Sequence, residues 1–310
     1  MITFDKLKLV ADISAVLEYD ETRFEVIEKN GAVAAMKFFQ ENPFLLKIKL
    51  DFECGEAVIE FSGKVLGKDY KKLISVDTIR RCFENINALG VCVVDVDSMM
   101  NAEVVKCDIT KDVPVADISG VTNFIRSHIC SFQRFQCRKL KNGNLVIDKN
   151  VTSSKIKKRM TIYNKENEML RSSNRPFVEE HGLEDAFSGM CRFELNLNSK
   201  EQIRNSLCIG DTKLMTVLTA DANPILDFLD EVVQPVEESV PVTNRKSYLT
   251  MLVLKDCDYD LEKVEAKMRD FYPSKGTSIR KVMEPYRAMK EKMEGNSGRN
   301  HWEDVRRMLA

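Results

Sequence analysis

The chain has 310 residues, 44% of them apolar and 31% charged, and its 47 basic and 48 acidic side chains leave a formal net charge of −1. That is too much apolar material for a disordered chain, and 13 Gly and 8 Pro are too few for a collagen-like or low-complexity one. No apolar run approaches the ~18 residues of a membrane span, and at roughly 100–200 residues per domain the length suggests two domains, or one with an appendage.

The opening MITFDKLKLVAD alternates polar and apolar residues and shows neither the apolar stretch nor the small-residue cleavage site of a secretion signal. Nine cysteines, none in a C-x-x-C pair and most within apolar stretches, read as reduced thiols. Together these predict a cytoplasmic protein. The alternating or β-branched segments KLKLVAD, FEVIE, LLKIKLDFE and AVIEFSGK predict strands. Val76, Ile79, Cys82, Phe83 and Ile86 then recur about one turn apart, predicting a helix with Ser75 at its N-cap. EVVKCDITKDV predicts another strand, ISGVTNFIRSHICSF a helix, and LKNGNLVI a hairpin turning at Asn-Gly. RMTIYNK and CRFELNLN are two further strands. The segment from Asp227 to Val242 carries five acids, no bases and two prolines, marking a boundary near residue 235. Beyond it, DLEKVEAKMRDFY and SIRKVMEPYRAMKEKM predict charged amphipathic helices, and the residues after Gly295 read as loosely ordered. The expected fold class is α+β: a mixed, largely antiparallel central sheet with helices over residues 1–235, and a small helical region over 236–310 that binds DNA or a partner, or caps the sheet.

Overall neutrality conceals one basic tract. Between Arg134 and Arg175 the balance is +9 over 42 residues, with Phe132 and Phe135 close by. Cations beside aromatics suit phosphate contacts and base stacking, although a charge run alone reads first as a solvated loop. Residues 244–310 carry a net +4, and the turn-like FYPSKGTS is compatible with a helix-turn-helix.

Three motifs carry chemistry. On strands, side chains alternate between faces. VVKCDIT therefore puts Lys106, Asp108 and Thr110 on one face. TIYNK puts Tyr163 and Lys165 together, and CRFELNLN puts Arg192, Glu194 and Asn196 opposite the core residues Phe193, Leu195 and Leu197. If these strands are neighbours, two carboxylates and a tyrosine share one surface. Two carboxylates can hold Mg²⁺ or Mn²⁺, a tyrosine hydroxyl can attack phosphorus, and a nearby lysine can stabilise the charge that develops. On spacing alone, a half-buried strand tyrosine and ordinary surface acids read at least as well. The three histidines, His128, His181 and His301, form no metal-binding pattern.

The ordered set AVIEFSGKVLGKDY, VVKCDITKDV, TIYNKENEM and CRFELNLNSKEQI resembles the phage and plasmid replication proteins of the gene II/X family, which initiate rolling-circle replication. The Y-N-K-x-x-E core and R-x-E strand are also similar to those of the Rep_trans plasmid initiators. The likeness spans roughly residues 5 to 205. It implies a nuclease fold of the replication-initiator kind. It also implies a site-specific nickase and strand transferase, joined to the 5′ phosphate of an origin through Tyr163. By the same resemblance Asp108 and Glu194 hold the metal, and Lys165 and Arg192 are cations beside the phosphate. The paired histidines of many such nucleases are absent, so further metal ligands stay open. Glu53 and Glu60 read as such ligands or as solvent-facing acids, and Lys64 equally as a phosphate contact or a turn lysine. Lys155, Lys157, Lys158 and Arg159 would grip DNA just before Tyr163. No P-loop is present, so the resemblance implies a host helicase and DNA polymerase as partners. A second protomer is a further candidate partner for the C-terminal helices. The alternatives are a mobilisation relaxase for conjugative transfer and a non-catalytic DNA-binding initiator or repressor.

Overall fold

The computed structural model describes residues 2–129, 135–149, 158–233, 245–271, 278–297 and 299–310. Its frame is β1 (Phe4–Asp12), β2 (Val16–Tyr19), β3 (Glu25–Lys29), β4 (Ala32–Gln40), β5 (Leu46–Asp51) and β6 (Glu56–Ser62), followed by β7 (Cys92–Val94), β8 (Glu103–Pro114), β9 (Phe135–Lys139), β10 (Leu145–Lys149), β11 (Arg159–Asn164) and β12 (Met190–Leu197). Ten of these form one sheet in the order β3-β4-β5-β6-β1-β8-β12-β11-β10-β9, while β2 and β7 pair separately. Every pairing among them is antiparallel. With its helices the protein is α+β.

Alternation along the strands makes the sheet two-faced. Leu7 and Leu9, Leu46, Ile48 and Leu50, Ile59 and Phe61, Cys107 and Ile109, and Phe193 and Leu195 are all buried. They join one core with the apolar sides of helices Ile79–Ala88, Ile118–Ser127 and Pro224–Val232. The residues between them along each strand are mostly polar and make up the other face. In the first of these helices the buried residues are Ile79, Cys82, Phe83 and Ile86, four of the five that the sequence spacing selects; the fifth, Val76, precedes the helix and is partly buried. Its N-cap is Thr78 rather than Ser75. Ser75 instead donates its backbone N–H to the Thr78 hydroxyl at 2.8 Å, in the turn that leads into the helix. The Asn142-Gly143 turn joins β9 to β10 as a hairpin, with Gly143 at φ +84°, where a glycine costs least.

A single irregularity decides where Asp5 points. The β1–β8 register shifts between Phe4 and Lys6, so that Phe4 lies opposite Ile109 and Lys6 opposite Asp108. Asp5 is the extra residue of this bulge and turns away from the core.

Two smaller apolar clusters complete the molecule. Tyr70, Leu73, Met169, Phe177, Val178, Leu183 and Phe187 pack together where the 63–72 and 165–189 segments meet. Helices Arg245–Asp256, Leu261–Phe271 and Ile279–Ser297 share a cluster around Leu254, Val264 and Met283. The final residues differ from the expectation of loose order. Arg299–Leu309 is a helix that returns to the sheet's own core through Trp302, Val305 and Leu309. Trp302 stacks on Phe124 at 6.2 Å, and Arg306 grips Asp230 with two hydrogen bonds of 2.9 and 2.8 Å. The acidic boundary (234–244) and the turn proposed for a helix-turn-helix (272–277) lie outside the described residues. No helix among the described residues is long and apolar enough to cross a membrane.

Candidate active site

Strands β8, β12 and β11 are consecutive in the sheet, which brings the three sequence motifs onto one surface. Glu194 lies opposite Thr110 on one side and Thr161 on the other, while Asp108 lies opposite Asn196 and Tyr163 opposite Arg192. Asp108 and Glu194 are thus diagonal neighbours on one face, about 7–8 Å apart at Cα, within reach of a common small ligand. The Tyr163 hydroxyl donates to Glu194 Oε2 at 3.1 Å, and Asn196 Nδ2 donates to Glu194 Oε1 at 3.2 Å. Lys6, supplied by β1, places its ammonium 3.1 Å from Asp108 Oδ2.

The electrostatics follow from burial and crowding. Burial, reinforced by the charges of Asp5 and Asp108, pushes the Glu194 carboxyl up to about 7. Burial and the adjacent Glu194 drive the Tyr163 phenol well above its ordinary value. Lys6 also rises, against its burial: burial alone would lower it, but Asp108, Glu194 and Asp5 around it outweigh that. The surface is acid-rich, and the Lys6 ammonium beside Asp108 tempers it.

Behind it lies a buried ionic network that the sequence did not disclose. Arg192 is fully buried. Its Nε and Nη2 donate to the two carboxylate oxygens of Asp112 at 2.6 and 2.7 Å. Its Nη1 donates to Asp5 at 2.7 Å and to the Tyr70 hydroxyl at 2.9 Å. Tyr70 in turn donates to Asp5 at 2.8 Å and accepts from Lys165 at 2.8 Å. Lys165 also reaches Glu168 at 2.5 Å, and Asn174 links Glu168 to Lys64 through bonds of 2.6 and 2.7 Å. Burial favours a neutral Asp5, yet Arg192 and Lys165 hold it down at about 2. The turn that delivers Lys165 is local in origin. Asn164 ends β11 and caps the helix Lys165–Met169 by accepting from the Asn167 N–H at 2.9 Å. At Gly67, φ is +59° and a Cβ would come within 3.2 Å of the His181 ring, so the 63–72 segment needs glycine to pack there.

Several sequence-level expectations change in this light. Arg192, expected beside a phosphate, is instead buried and saturated by Asp112, Asp5 and Tyr70, so it positions other groups. Lys165 is likewise buried, bonded to Tyr70 and Glu168, with its ammonium 5.9 Å from the Tyr163 ring centroid. Lys64 bonds Asn174 and lies 5.3 Å over the Phe177 ring rather than facing solvent. Glu53 sits in the β5–β6 turn as an exposed partner of Lys29, at 2.9 Å. Glu60 is on the polar face, opposite Lys47 and Lys8, away from Asp108. Arg159 is exposed and shares Asp148 with Arg138, while Lys158 lies 5.3 Å over the Phe228 ring. Phe135 packs edge-on against Phe228 in the core and offers no stacking surface. Lys155, Lys157 and Phe132 lie outside the described residues.

Asp5, Lys6, Tyr70 and Asp112 are the site residues that sequence reasoning missed. Asp112 had a signal, since it lies two and four positions from Thr110 and Asp108 on the same face. Asp5 had none, because alternation assigns it to the core side and only the bulge moves it.

The donor set fits a hard divalent cation. Asp108 Oδ1 is buried and has no hydrogen-bond partner, the unsatisfied state that an ion would relieve. Glu194, its diagonal neighbour, is held near neutrality by burial and excess negative charge. Mg²⁺ commonly takes one or two carboxylates and keeps its waters, so two acids suffice. No group of three or more His, Cys, Asp or Glu side chains suited to a metal occurs among the described residues.

Comparison with protein-family models, with curated proteins and with solved structures finds no match. The functional reading therefore rests on the site itself and on the motif resemblance.

Proposed function

We propose that this chain starts rolling-circle replication as a site-specific DNA nickase and strand transferase, working through a 5′-phosphotyrosyl link at Tyr163. The observation that carries the reading is the Tyr163–Glu194 hydrogen bond on the face that Asp108 shares. It joins a nucleophile, a carboxylate poised to take its proton and a second carboxylate across three adjacent strands.

At rest the phenol is protonated, held so by burial. Glu194, whose carboxyl is raised by burial and the neighbouring acids, accepts that proton at Oε2. The phenol oxygen then bonds to the scissile phosphorus and the bond from phosphorus to the 3′ oxygen breaks. The proton passes from Glu194 to that oxygen, leaving a 3′ hydroxyl. Reversal of these steps reseals the strand without a nucleotide cofactor. Asp108 and Glu194 would hold Mg²⁺ or Mn²⁺, which when bound supplies charge neutralisation at the phosphate. Arg192 and Lys165, held by Asp112, Asp5, Tyr70 and Glu168, keep the strands beside the site rigid. The reading places the protein in the cytoplasm, on a phage or plasmid replicon, with host helicase and polymerase doing the unwinding and synthesis.

The test is incubation with supercoiled DNA bearing the cognate origin and Mg²⁺ or Mn²⁺. The expected product is a nicked circle with protein on its 5′ end, absent for Tyr163→Phe. Nicking that survives in this variant overturns the assignment. A second reading, a non-catalytic DNA-binding initiator, draws support from the low exposure of Tyr163 (8%). It predicts no covalent adduct and an unaltered Tyr163→Phe phenotype.

A further inference from the structure

The polar face does not end at Asp108. Across β4, β5, β6, β1 and β8 the register aligns Phe39, Lys47, Glu60, Lys8 and Lys106 in one row. Four strand spacings of about 4.8 Å make that row about 19 Å long. Its last member, Lys106, is two residues from Asp108 on the same face. Around the row lies a groove of about 750 Å³. Five cations line it (Lys8, Arg23, Lys37, Lys47 and Lys49) against two acids, Glu25 and Glu60.

Two features of the groove suit a ligand. Phe39 is 60% exposed on an open sheet face, with the Lys47 ammonium 5.0 Å from its ring centroid. Lys8, Lys37 and Lys47 make no ion pair with any described residue, whereas Lys49 is tied to Asp51 at 2.5 Å. An exposed aromatic among lysines that outnumber the acids beside them suits an unpaired base stacked on the ring, with its phosphates on the ammonium groups. Duplex DNA buries its bases and cannot use the ring.

We infer that this groove is a binding track for single-stranded DNA, leading across β4–β1 toward Asp108 and Tyr163. The direction of the track rests on the nicking function proposed above; the groove's affinity for a single strand does not.

The test is fluorescence anisotropy of the full chain with a labelled oligo-dT 20-mer, a duplex of equal length and an oligo-rU 20-mer, over a series of salt concentrations. The wild type is expected to prefer oligo-dT to the duplex. Phe39→Ala should weaken oligo-dT binding about tenfold, and Phe39→Tyr should restore it. The double variant Lys37→Ala/Lys47→Ala should lower the slope of log affinity against log salt by about 1.4, the share of two single-strand phosphate contacts. All three positions lie on the open face, and circular dichroism on the same samples confirms the fold. Unchanged affinity and slope in both the Phe39→Ala and lysine variants, or tighter binding of oligo-rU, overturns the track. Origin nicking measured on the same preparation separates the two proposals. Nicking without groove-dependent binding refutes the track alone, and groove-dependent binding without a phosphotyrosyl product refutes the nicking alone.

Discussion

Asp5→Asn is the sharpest probe of the buried network, because its effect follows from charge at nearly constant shape. The Asp5 carboxylate accepts from Arg192 at 2.7 Å and from Tyr70 at 2.8 Å, with its side chain only 18% exposed. Lowered to about 2 from the 3.8 of an ordinary aspartate, Asp5 contributes on the order of 2–3 kcal/mol of folding stability once the group is ionised in both states. The sign is set by the lowered value. The unfolded chain binds the proton more tightly, so the contribution is complete above about pH 5 and drains away as pH falls from 4 toward 2. Asparagine keeps one acceptor oxygen but loses the charge that faces Arg192. Urea denaturation followed by circular dichroism at pH 7, 5, 4 and 3 should show the variant about 2–3 kcal/mol less stable at pH 7 and 5, with the gap narrowing at 4 and 3. A gap under about 0.5 kcal/mol at pH 7, or one that stays constant with pH, would refute an ionised Asp5 sustained by Arg192.

Two further outcomes test other parts of the structure. Calorimetric titration with Mn²⁺ should show binding to the wild-type chain and a loss of about tenfold or more in Asp108→Asn, since one of the two carboxylates that would carry the ion is gone; equal affinities would remove Asp108 from the metal site. Trp302→Ala should destabilise the protein by about 3–5 kcal/mol in urea, because the ring is buried against Phe124, and a loss near zero would mean that the last helix does not belong to the sheet's core.

How far the sequence could be read depended on the kind of information each feature needed. Strand faces were legible, because a period of two assigns Asp108, Tyr163 and Glu194 to polar sides without any knowledge of neighbours. That β8, β12 and β11 should be adjacent was a condition the sequence could state but not establish. Strand order is set by long-range packing that leaves no local mark. The basic tract illustrates the opposite error. Its charge was plain, yet Arg138 and Arg159 converge on Asp148, and Phe135 is a core residue. The final helix read as loose because Arg299–Leu309 is mostly polar, and only tertiary contact shows why Trp302, Val305 and Leu309 are spaced as they are. Arg192 had looked like an accessible cation, and the partners that neutralise it come from residues 5, 70 and 112, far away in the chain.

Those partners lie in β1, the 63–72 segment and β8, and Lys165 with Glu168 extends the chain of bonds into the short helix after β11. The strands that carry the reactive groups are therefore bolted to the segments that roof them by full charges rather than by grease alone. Lifting the roof would strand an arginine, a lysine and their carboxylate partners in a dry interior. Hydrogen exchange in the 63–72 and 165–169 stretches should consequently track that of β12, the two opening as one unit. The phenol keeps its setting until that whole assembly gives way.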